Sequence, residues 1–417
     1  MKVNSNLEIL LKRGVTMPLP GSVLIGDEVD PERISNTNVT LYPGTKISGK
    51  NTLIMSDVSL GREAPVTVDN CLMGPGTELK GGFFQGAVFA GSNRFGSGAH
   101  VREGTILEEY ASAAHTVGLK QTLLFPFVTL GSLINFCDCF MAGGTGHKDH
   151  SEVGSSFIHF NYTPNQDKAT PSMFGNVHHG VMLNCRPVFL GGQGGVVGPC
   201  RLAFGSVTAA GTICRKDESR PDRIILGGAL KDGSIPRRPH VYTSVKRVYF
   251  NNCRYIAAMI ALLNWYRNIR EFFVDTDNTL EKALNQGMMD TLDKSIDERI
   301  KRLEEFCRKL EISKHRLLSK SSGKQSELIV FHDLIIKKRP ELKKTLVNEK
   351  KANYFSEIPE DFLNALERGI FHHGKKYIPV IKRLDADAAA SGSVWLENIE
   401  NKVMKACDLE SCFSDQH

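Results

Sequence analysis

Long apolar segments are missing from this sequence. The most apolar stretch, residues 256–263, is far too short to span a bilayer. The first residues, MKVNSNLEILLKRG, lack the apolar core of a signal peptide. We therefore expect neither membrane insertion nor secretion.

An excess of one charge is also lacking. Lys and Arg number 52 against 46 Asp and Glu, and the net charge of +6 is shared between both halves of the chain. No basic stripe favours nucleic-acid binding, whereas small anionic ligands are compatible with this charge.

The ten cysteines show no metal-ligand or disulfide-framework spacing, since the only close pairs are Cys137/Cys139 and Cys407/Cys412. This indicates reduced thiols in a cytoplasmic protein. A hydrophobic content of 41% over 417 residues is typical of a globular chain of two or three domains.

Glycine punctuates residues 1–230 and becomes scarce afterwards. Within this first part, apolar residues recur every six positions, which is typical of hexapeptide repeats in a parallel β-helix. One long run shares a single phase: Leu41, Ile47, Leu53, Cys71, Phe83, Phe89, Phe95, Val101, Leu107, Ala113 and Leu119. A second run has a shifted phase: Leu190, Val196, Leu202, Thr208 and Cys214. The alternative is a glycine-rich antiparallel β-protein, but two long runs favour the β-helix.

These patterns predict four segments. Residues 1–35 form a lead-in, and residues 36–230 form the β-helix with an inserted loop around 125–190. A linker containing Pro236 and Pro239 covers residues 231–244. Residues 245–417 form an α-helical domain, because apolar residues recur there at intervals of three and four positions, as on one face of a helix. The helical part has no chemical motif. It would cap the β-helix, extend an oligomer contact or recruit a partner.

Arg102 and Lys120 are 18 residues apart, and each follows an apolar anchor. Because three hexapeptides make one triangular coil, both side chains should point outward from adjacent coils about 4.8 Å apart. Two stacked cations suit a phosphate ligand. The alternative is solvated surface charge.

A polar stretch from residue 143 to 172 interrupts the hexapeptide rhythm. It concentrates His147, Asp149, His150, Glu152, His159, Asn161, Tyr162 and Lys168. Histidine is a suitable general base near neutral pH when a carboxylate orients it, and Asn and Tyr bind sugar hydroxyls. A zinc site of His147, His150, His178 and His179 is a competing hypothesis, although their spacing matches no defined zinc motif.

The chain resembles a family at this point: the acetyltransferase half of bacterial glucosamine-1-phosphate acetyltransferase/uridyltransferase, which makes UDP-N-acetylglucosamine. VREGTILEEYASAAHTVGLK (101–120) is similar to the family's Arg-Pro-Gly-Thr segment that ends in Asn-Phe-Val-Glu-Val-Lys. VGSSFIHFNY (153–162) resembles its Ile-Gly-Ala-Gly-Thr-Ile-Thr-Cys-Asn-Tyr segment, and residues 196–217 resemble its last coils. The resemblance covers about residues 40–230.

The resemblance implies a left-handed coil, a homotrimer with sites between chains, and acetyl-CoA or another acyl-CoA as co-substrate without a bound metal. The residues it implies are Arg102 and Lys120 for phosphate, Asn161, Tyr162 and Lys168 for the rest of the substrate, and Ala210 with Gly192 for coenzyme A.

Two features depart from the family. Its catalytic histidine segment corresponds to LINFCDC (133–139), which puts Phe136 in the histidine's place. His150, with Glu152 nearby in sequence, or else His147, is the predicted substitute. The uridyltransferase half is also missing, since the sequence contains no Gly-x-Gly-Thr-Arg nucleotide loop.

These observations lead to three hypotheses of different classes. The first is a coenzyme A-dependent acyltransferase acting on an amino-sugar phosphate or sugar nucleotide. The second is a non-catalytic sugar-nucleotide sensor or scaffold, which Phe136 favours. The third is a trimeric metalloenzyme like the gamma-class carbonic anhydrases, which share the fold, because one scaffold hosts several chemistries.

Overall fold

Short strands alternate with tight turns through the first half of the chain, and helices make up the second half. The computed structural model describes residues 5–228, 232–234, 236–319 and 327–409. In chain order the strands are β1 (Leu24–Ile25), β2 (Thr40–Leu41), β3 (Lys46–Ser48), β4 (Leu53–Ile54), β5 (Ser59–Leu60), β6 (Val66–Asp69), β7 (Leu72–Met73), β8 (Glu78–Leu79), β9 (Gly82–Gln85), β10 (Val88–Phe89), β11 (Arg94–Phe95), β12 (Ala99–Val101), β13 (Ile106–Leu107), β14 (Ser112–Ala113), β15 (Gly118–Lys120), β16 (Leu123–Leu124), β17 (Thr129–Leu130), β18 (Asn135–Cys137), β19 (Cys139–Met141), β20 (Gly144–Gly146), β21 (Asp149–His150), β22 (Glu152–Val153), β23 (Ile158–Phe160), β24 (Ser172–Phe174), β25 (Phe189–Leu190), β26 (Gly195–Val197), β27 (Arg201–Leu202), β28 (Val207–Thr208), β29 (Ile213–Cys214) and β30 (Ile224–Ile225).

All but two of these strands form three parallel sheets that wind around one core. Sheet 1 has the order β1-β3-β6-β9-β12-β15-β18-β23-β26-β29, sheet 2 has the order β27-β24-β19-β16-β13-β10-β7-β4, and sheet 3 has the order β2-β5-β8-β11-β14-β17-β22-β25-β28-β30. The chain passes from sheet 1 to sheet 2 to sheet 3 and back, one strand at a time. The predicted parallel β-helix is therefore confirmed, and its handedness stays a prediction.

The corners of the coil are sharp because single residues there adopt left-handed backbone conformations. Between sheets 1 and 2 these include Asn70, Gln121 and Asp138, with φ of 50°, 51° and 61°. Asn and Asp tolerate this region better than most residues, since their short polar side chains bond locally. The strands are consequently only two to four residues long.

The predicted apolar anchors fill the interior, with two exceptions: Leu53 faces outward towards the helices, and Phe83 lies outside the core. Both runs are buried, from Leu41 to Leu119 and from Leu190 to Cys214, but Phe83 is only half-buried and Phe84 takes the inward place. The prediction for Phe83 was wrong because Val66 pairs with Gly82, so this coil has 16 residues rather than 18. Around this coil the inward residues Leu79, Phe84 and Phe89 are five residues apart instead of six, which moves the inward position from 83 to 84.

The coil continues through the region predicted to be one inserted loop. Three separate excursions leave it: an antiparallel hairpin of β20 and β21, a loop of residues 161–171, and residues 175–188 with a short helix. Strands between the excursions keep their parallel pairing, as in Thr129 opposite Glu152 and Cys139 opposite Ser172. A long β-helix accepts such insertions because each one replaces only a corner.

The described helices are α1 (Ser5–Lys12), α2 (Val177–Gly180), α3 (Val245–Asn268), α4 (Thr279–Leu318), α5 (Glu327–Lys351), α6 (Glu360–His373), α7 (Tyr377–Ile381) and α8 (Ala386–Ala406). Short 3-10 segments cover Pro20–Ser22, Pro31–Arg33, Arg270–Phe273 and Phe355–Glu357. Side chains cap the longer helices: Asn278 accepts from the backbone N–H of Glu281, and Asp385 from that of Ala388. No helix among the described residues is long and apolar enough to cross a membrane.

The helices from α3 onward cover sheet 2 along its length. Outward-facing residues of sheet 2, such as Leu53, Val88 and Leu123, belong to one continuous hydrophobic cluster with α3 and α4. Sheet 2 is thus buried on both faces. Of the roles proposed for the helical half, capping the open end does not describe this arrangement, since the helices pack along the side.

Helix α4 follows the corner between sheets 1 and 2, advancing along the coils as its sequence advances. A Cβ on Gly287 would lie 2.3 Å from a methyl of Leu72, so a larger residue there would require the Leu72 side chain to shift. Further along, Ser295 Oγ donates to the Gly104 carbonyl at 3.4 Å, and Lys309 Nζ donates to the Asn165 carbonyl at 2.7 Å. The helix therefore forms one wall beside this corner.

Candidate functional site

The three corners of the β-helix hold different groups of the predicted site residues. We name them by the sheets they join: the 1–2 corner, the 2–3 corner and the 3–1 corner. Arg102, Lys120 and the loop 161–171 belong to the 1–2 corner. The hairpin with His147 and His150 belongs to the 2–3 corner, and Gly192 and Ala210 belong to the 3–1 corner.

Arg102 and Lys120 stack on adjacent coils, as their spacing predicted. Val101 pairs with Leu119 in parallel register, and the Arg102 N–H donates to the Leu119 carbonyl at 2.9 Å. Val101 and Leu119 face the core. Their successors therefore face outward at the end of sheet 1.

The cation pair is partly compensated by a carboxylate that the sequence reading did not include. Lys120 Nζ lies 2.9 Å from Glu103 Oε1. Partial burial is the largest single effect and raises the pKa of Glu103, but the hydrogen bond and charge of Lys120, a backbone hydrogen bond and the charge of Arg102 together lower it overall. Glu103 therefore holds Lys120 beside Arg102. The three side chains together carry one net positive charge.

Cys137 is the next residue in this column, since it pairs with Lys120 in register. Burial and the adjacent Asp138 carboxylate raise the pKa of the Cys137 thiol, while the charges of Arg102 and Lys120 act in the opposite direction. The net shift is upward, so the thiol is protonated at neutral pH. Cys137 is thus a neutral neighbour of the cations and not an activated nucleophile.

A buried ion pair fastens this corner to α4. Arg299 Nη2 lies 3.0 Å from Asp138 Oδ1, and both side chains are almost completely buried. Burial raises the pKa of Asp138, opposed by the charge and hydrogen bond of Arg299. Asn161 Nδ2 donates to the other oxygen, Oδ2, at 3.2 Å. Asp138 therefore connects Asn161 to the corner that carries Arg102 and Lys120.

His159, part of the predicted polar stretch, faces inward and is structural. It is 4% exposed, and its Nε2 lies 2.8 Å from Ser172 Oγ. Burial lowers its pKa to about 4, so the imidazole is neutral at physiological pH. Its Nδ1 has no hydrogen-bond partner among the described residues.

His100 is the candidate that the sequence reading missed. It is exposed on β12, two residues before Arg102 and therefore on the same face of sheet 1. Its register partner on the next coil is Gly118, which has no side chain, and its ring lies 5.1 Å from that of Phe83. The sequence could have indicated His100, because residues two apart in a strand lie on the same face and His100 is two residues before Arg102.

Phe136 lies in the core and not at the surface. It is fully buried, and its ring centroid is 6.0 Å from that of Phe157. Its neighbours Asn135 and Cys137 are the outward residues of β18. The position aligned with the family's histidine is therefore one that faces inward, which explains the phenylalanine by packing.

The predicted bases lie across sheet 2 from the cation pair. His147 contacts the rings of Tyr110 and Phe127 at 4.9 and 5.1 Å, at the 2–3 corner. His150 Nδ1 is 2.9 Å from the His147 carbonyl, and its Nε2 is 3.9 Å from Glu152 Oε2. The predicted proximity of His150 and Glu152 is thus present, but not beside Arg102 and Lys120.

The remaining predicted site residues are also divided between different corners of the coil. Tyr162 and Lys168 are exposed in the loop of the 1–2 corner, where Tyr162 is 71% accessible. Gly192 and Ala210 stack at the 3–1 corner, where the Gly211 N–H donates to the Gly192 carbonyl at 2.9 Å. One chain therefore brings Arg102, Lys120 and Asn161 to one corner, with the implied coenzyme A residues on another.

The four histidines of the zinc hypothesis do not come together. His178 pairs with Glu400 of α8 at 3.0 Å, and His179 lies next to it on α2. His147 and His150 are on the hairpin. Within the described part of the chain, no group of three or more His, Cys, Asp or Glu is placed to hold a metal ion.

No family model matches the chain, and no curated protein matches it.

Proposed function

We propose that this protein is a coenzyme A-dependent acyltransferase that acts on an amino-sugar phosphate or a sugar nucleotide related to UDP-N-acetylglucosamine. The observation that carries the proposal is the stacked pair Arg102 and Lys120, partly exposed at one corner with Asn161. A phosphate between two cations gains charge-assisted hydrogen bonds from both. The resemblance to the acetyltransferase family supplies the reaction and acetyl-CoA, or another acyl-CoA, as co-substrate.

The proposed active site lies between chains of a homotrimer. Sheet 2 is covered by helices, whereas the outward faces of sheets 1 and 3 carry accessible apolar residues such as Ile158, Phe189 and Ile224. Contact between sheet 1 of one chain and sheet 3 of the next would cover these residues.

The reaction needs a base for the amine that attacks the thioester. We assign this role to His100, because it shares an outward face with Arg102 and a gap at Gly118 leaves room beside it. The amine would lose its proton to the imidazole as it attacks the acyl carbon, and the coenzyme A thiolate would leave. His150 or His147 serves this site only from a neighbouring chain.

A cytoplasmic location accompanies this proposal. All nine cysteines in the described residues are free thiols, which suits a reducing compartment.

The second candidate function is a non-catalytic sugar-nucleotide sensor or scaffold. It is favoured by the distance in sequence and space between the cation pair and His147 and His150 on the 2–3 corner. A sensor would bind the sugar nucleotide through Arg102 and Lys120 and would not bind coenzyme A.

Calorimetric titrations with UDP-N-acetylglucosamine, glucosamine-1-phosphate, acetyl-CoA and coenzyme A test these functions. We expect the protein to bind both a sugar phosphate and coenzyme A. Lys120→Ala should weaken sugar-phosphate binding at least about tenfold, because it removes a charge-assisted hydrogen bond. Exposed Lys301→Ala on α4 is the matched control. Sugar-nucleotide binding without coenzyme A binding would leave only the sensor.

Turnover in variants tests the assignment of the base. We expect His100→Ala to lower kcat about 100-fold, as loss of a general base does, and His150→Ala to have little effect. Co-expression of two differently tagged chains, His100→Ala and Lys120→Ala, should give mixed trimers no more active than the average of the two single-variant trimers, because both residues serve one site from one chain. If instead His150→Ala abolishes turnover and mixing it with Lys120→Ala restores activity, the base comes from the neighbouring chain.

A further inference from the structure

A groove runs between the 1–2 corner and helix α4, directly behind the cation pair. Its volume is about 560 Å³, within the range of small-molecule sites. Corner residues from Asn51 to Gln121 form one wall, and α4 residues from Ala283 to Lys294 form the other. Glu103, which binds Lys120, lies in the first wall, so the groove adjoins the proposed phosphate site.

The groove is long and narrow. Its corner wall uses five successive coils, so it extends about 19 Å at the usual strand spacing. Gly86 and Gly104 add no side chains to the floor at two of these coils, and the Gln121 amide lies over Gly104. A phosphate between Arg102 and Lys120 would therefore lie beside one end of the groove. Most of the groove's length would remain for the rest of the ligand.

The lining suits an uncharged ligand rich in hydroxyl and amide groups. Asn51, Asn70 and Gln121 on one wall face Gln286 and Thr291 on the other. Among the described residues, the side-chain amides of Asn51 and Gln121 have no hydrogen-bond partner within the protein. Each such amide offers two donors and one acceptor, a combination that matches sugar hydroxyls and N-acetyl groups.

The charges of the groove argue against a second phosphate. Arg33 and Lys294 line the groove together with Asp290 and with Glu103, which is already paired with Lys120. Arg33 donates to the carbonyls of Asn51 and Thr52, and Asp290 accepts from Gln286 at 2.8 Å. Because Glu103 is engaged by Lys120, a polyanion would meet only one net positive charge along the whole groove.

We infer that this groove binds the glycosyl part of the phosphorylated ligand, with the helical half supplying one of its walls. The inference rests on the proposed function for the identity of the ligand. It gives α4 a direct part in substrate selection, because Gln286 and Thr291 contact sugar only when the helix is docked along the corner.

Calorimetry with two probes separates the groove from the cation pair. We expect Thr291→Trp, which fills the groove, and Gln286→Met, which removes an amide at constant length, to weaken UDP-N-acetylglucosamine binding. The loss should be about tenfold for Thr291→Trp. Binding of pyrophosphate should not change in either variant. Lys120→Ala should weaken both probes, and Lys301→Met is the control on the same helix.

The outcomes are distinguishable. If both groove variants bind UDP-N-acetylglucosamine like the unaltered protein while Lys120→Ala does not, the groove is not the glycosyl site and the proposed function stands. If the unaltered protein binds neither probe, the proposed function fails, and the inference fails with it. Circular dichroism identifies misfolding of Thr291→Trp, in which case Gln286→Met decides.

Discussion

Arg299→Met is expected to lower the free energy of unfolding by about 3–5 kcal/mol, the usual cost of leaving one member of a buried ion pair without its partner. Asp138 would stay buried at the 1–2 corner with only Asn161 as a hydrogen-bond donor from a side chain. Its pKa, already raised by burial, would rise further. Urea unfolding at pH 7 measures the loss.

Two further variants show whether the cause is the unpaired charge. Arg302→Met removes a neighbouring arginine that pairs with Glu298 and Glu305 nearer the surface, and it should cost less than about 1 kcal/mol. Asp138→Asn in the Arg299→Met background should recover part of the stability, because Asn tolerates the left-handed backbone without carrying charge. If Arg299→Met costs no more than Arg302→Met, the buried pair does not fasten α4 to the β-helix.

Glu108→Gln is expected to stabilise the protein by up to about 3 kcal/mol at pH 8 and to have little effect at pH 5. Glu108 is 1% exposed and accepts one hydrogen bond, at 2.6 Å, from the Tyr266 hydroxyl of α3. Burial raises its pKa from 4.5 to about 7, although the charge of Arg270 opposes the shift. Arg270 itself is committed to Glu109, with contacts of 2.6 and 3.0 Å.

The sign follows from proton linkage. Between pH 4.5 and 7 the folded protein holds a proton on Glu108 that the unfolded chain has lost, so stability falls as the pH rises through this window. At 1.36 kcal/mol per pKa unit, the fall amounts to about 3 kcal/mol. Glutamine keeps a hydrogen-bond acceptor for Tyr266 and cannot ionise. The substitution therefore removes this loss of stability at high pH.

Urea unfolding of the unaltered protein and of Glu108→Gln, each at pH 5 and pH 8, measures this effect. The quantity compared is the change in the free energy of unfolding between the two pH values in each protein. Exposed Glu367→Gln on α6 is the control for loss of a carboxyl group, and we expect it to change stability little at either pH. A Glu108→Gln variant that is equally or less stable than the unaltered protein at pH 8 would show that the buried carboxylate ionises without cost.

Local periodicity was enough to predict the β-helix and its strongest candidate pair. Apolar residues six apart determine which side chains face inward, and a coil of 18 residues stacks Arg102 over Lys120 without any information about distant contacts. The error at Phe83 shows the limit of this reasoning: one coil of 16 residues moves the inward position to Phe84. The three excursions were seen only as one interruption, because each returns to the same register.

What the sequence could not determine is which face of the β-helix the helices cover and which corners come together. The contacts that decide this join residues far apart in the chain, such as Asp138 with Arg299 and Glu108 with Tyr266. His147 and His150 are close in sequence to Asn161, yet the passage from sheet 2 to sheet 3 carries them to another corner. Sequence alone thus determined the coil and its outward cations, since both depend on local repeats. Tertiary structure decided the groove and the placement of the histidines, since both depend on packing between distant segments.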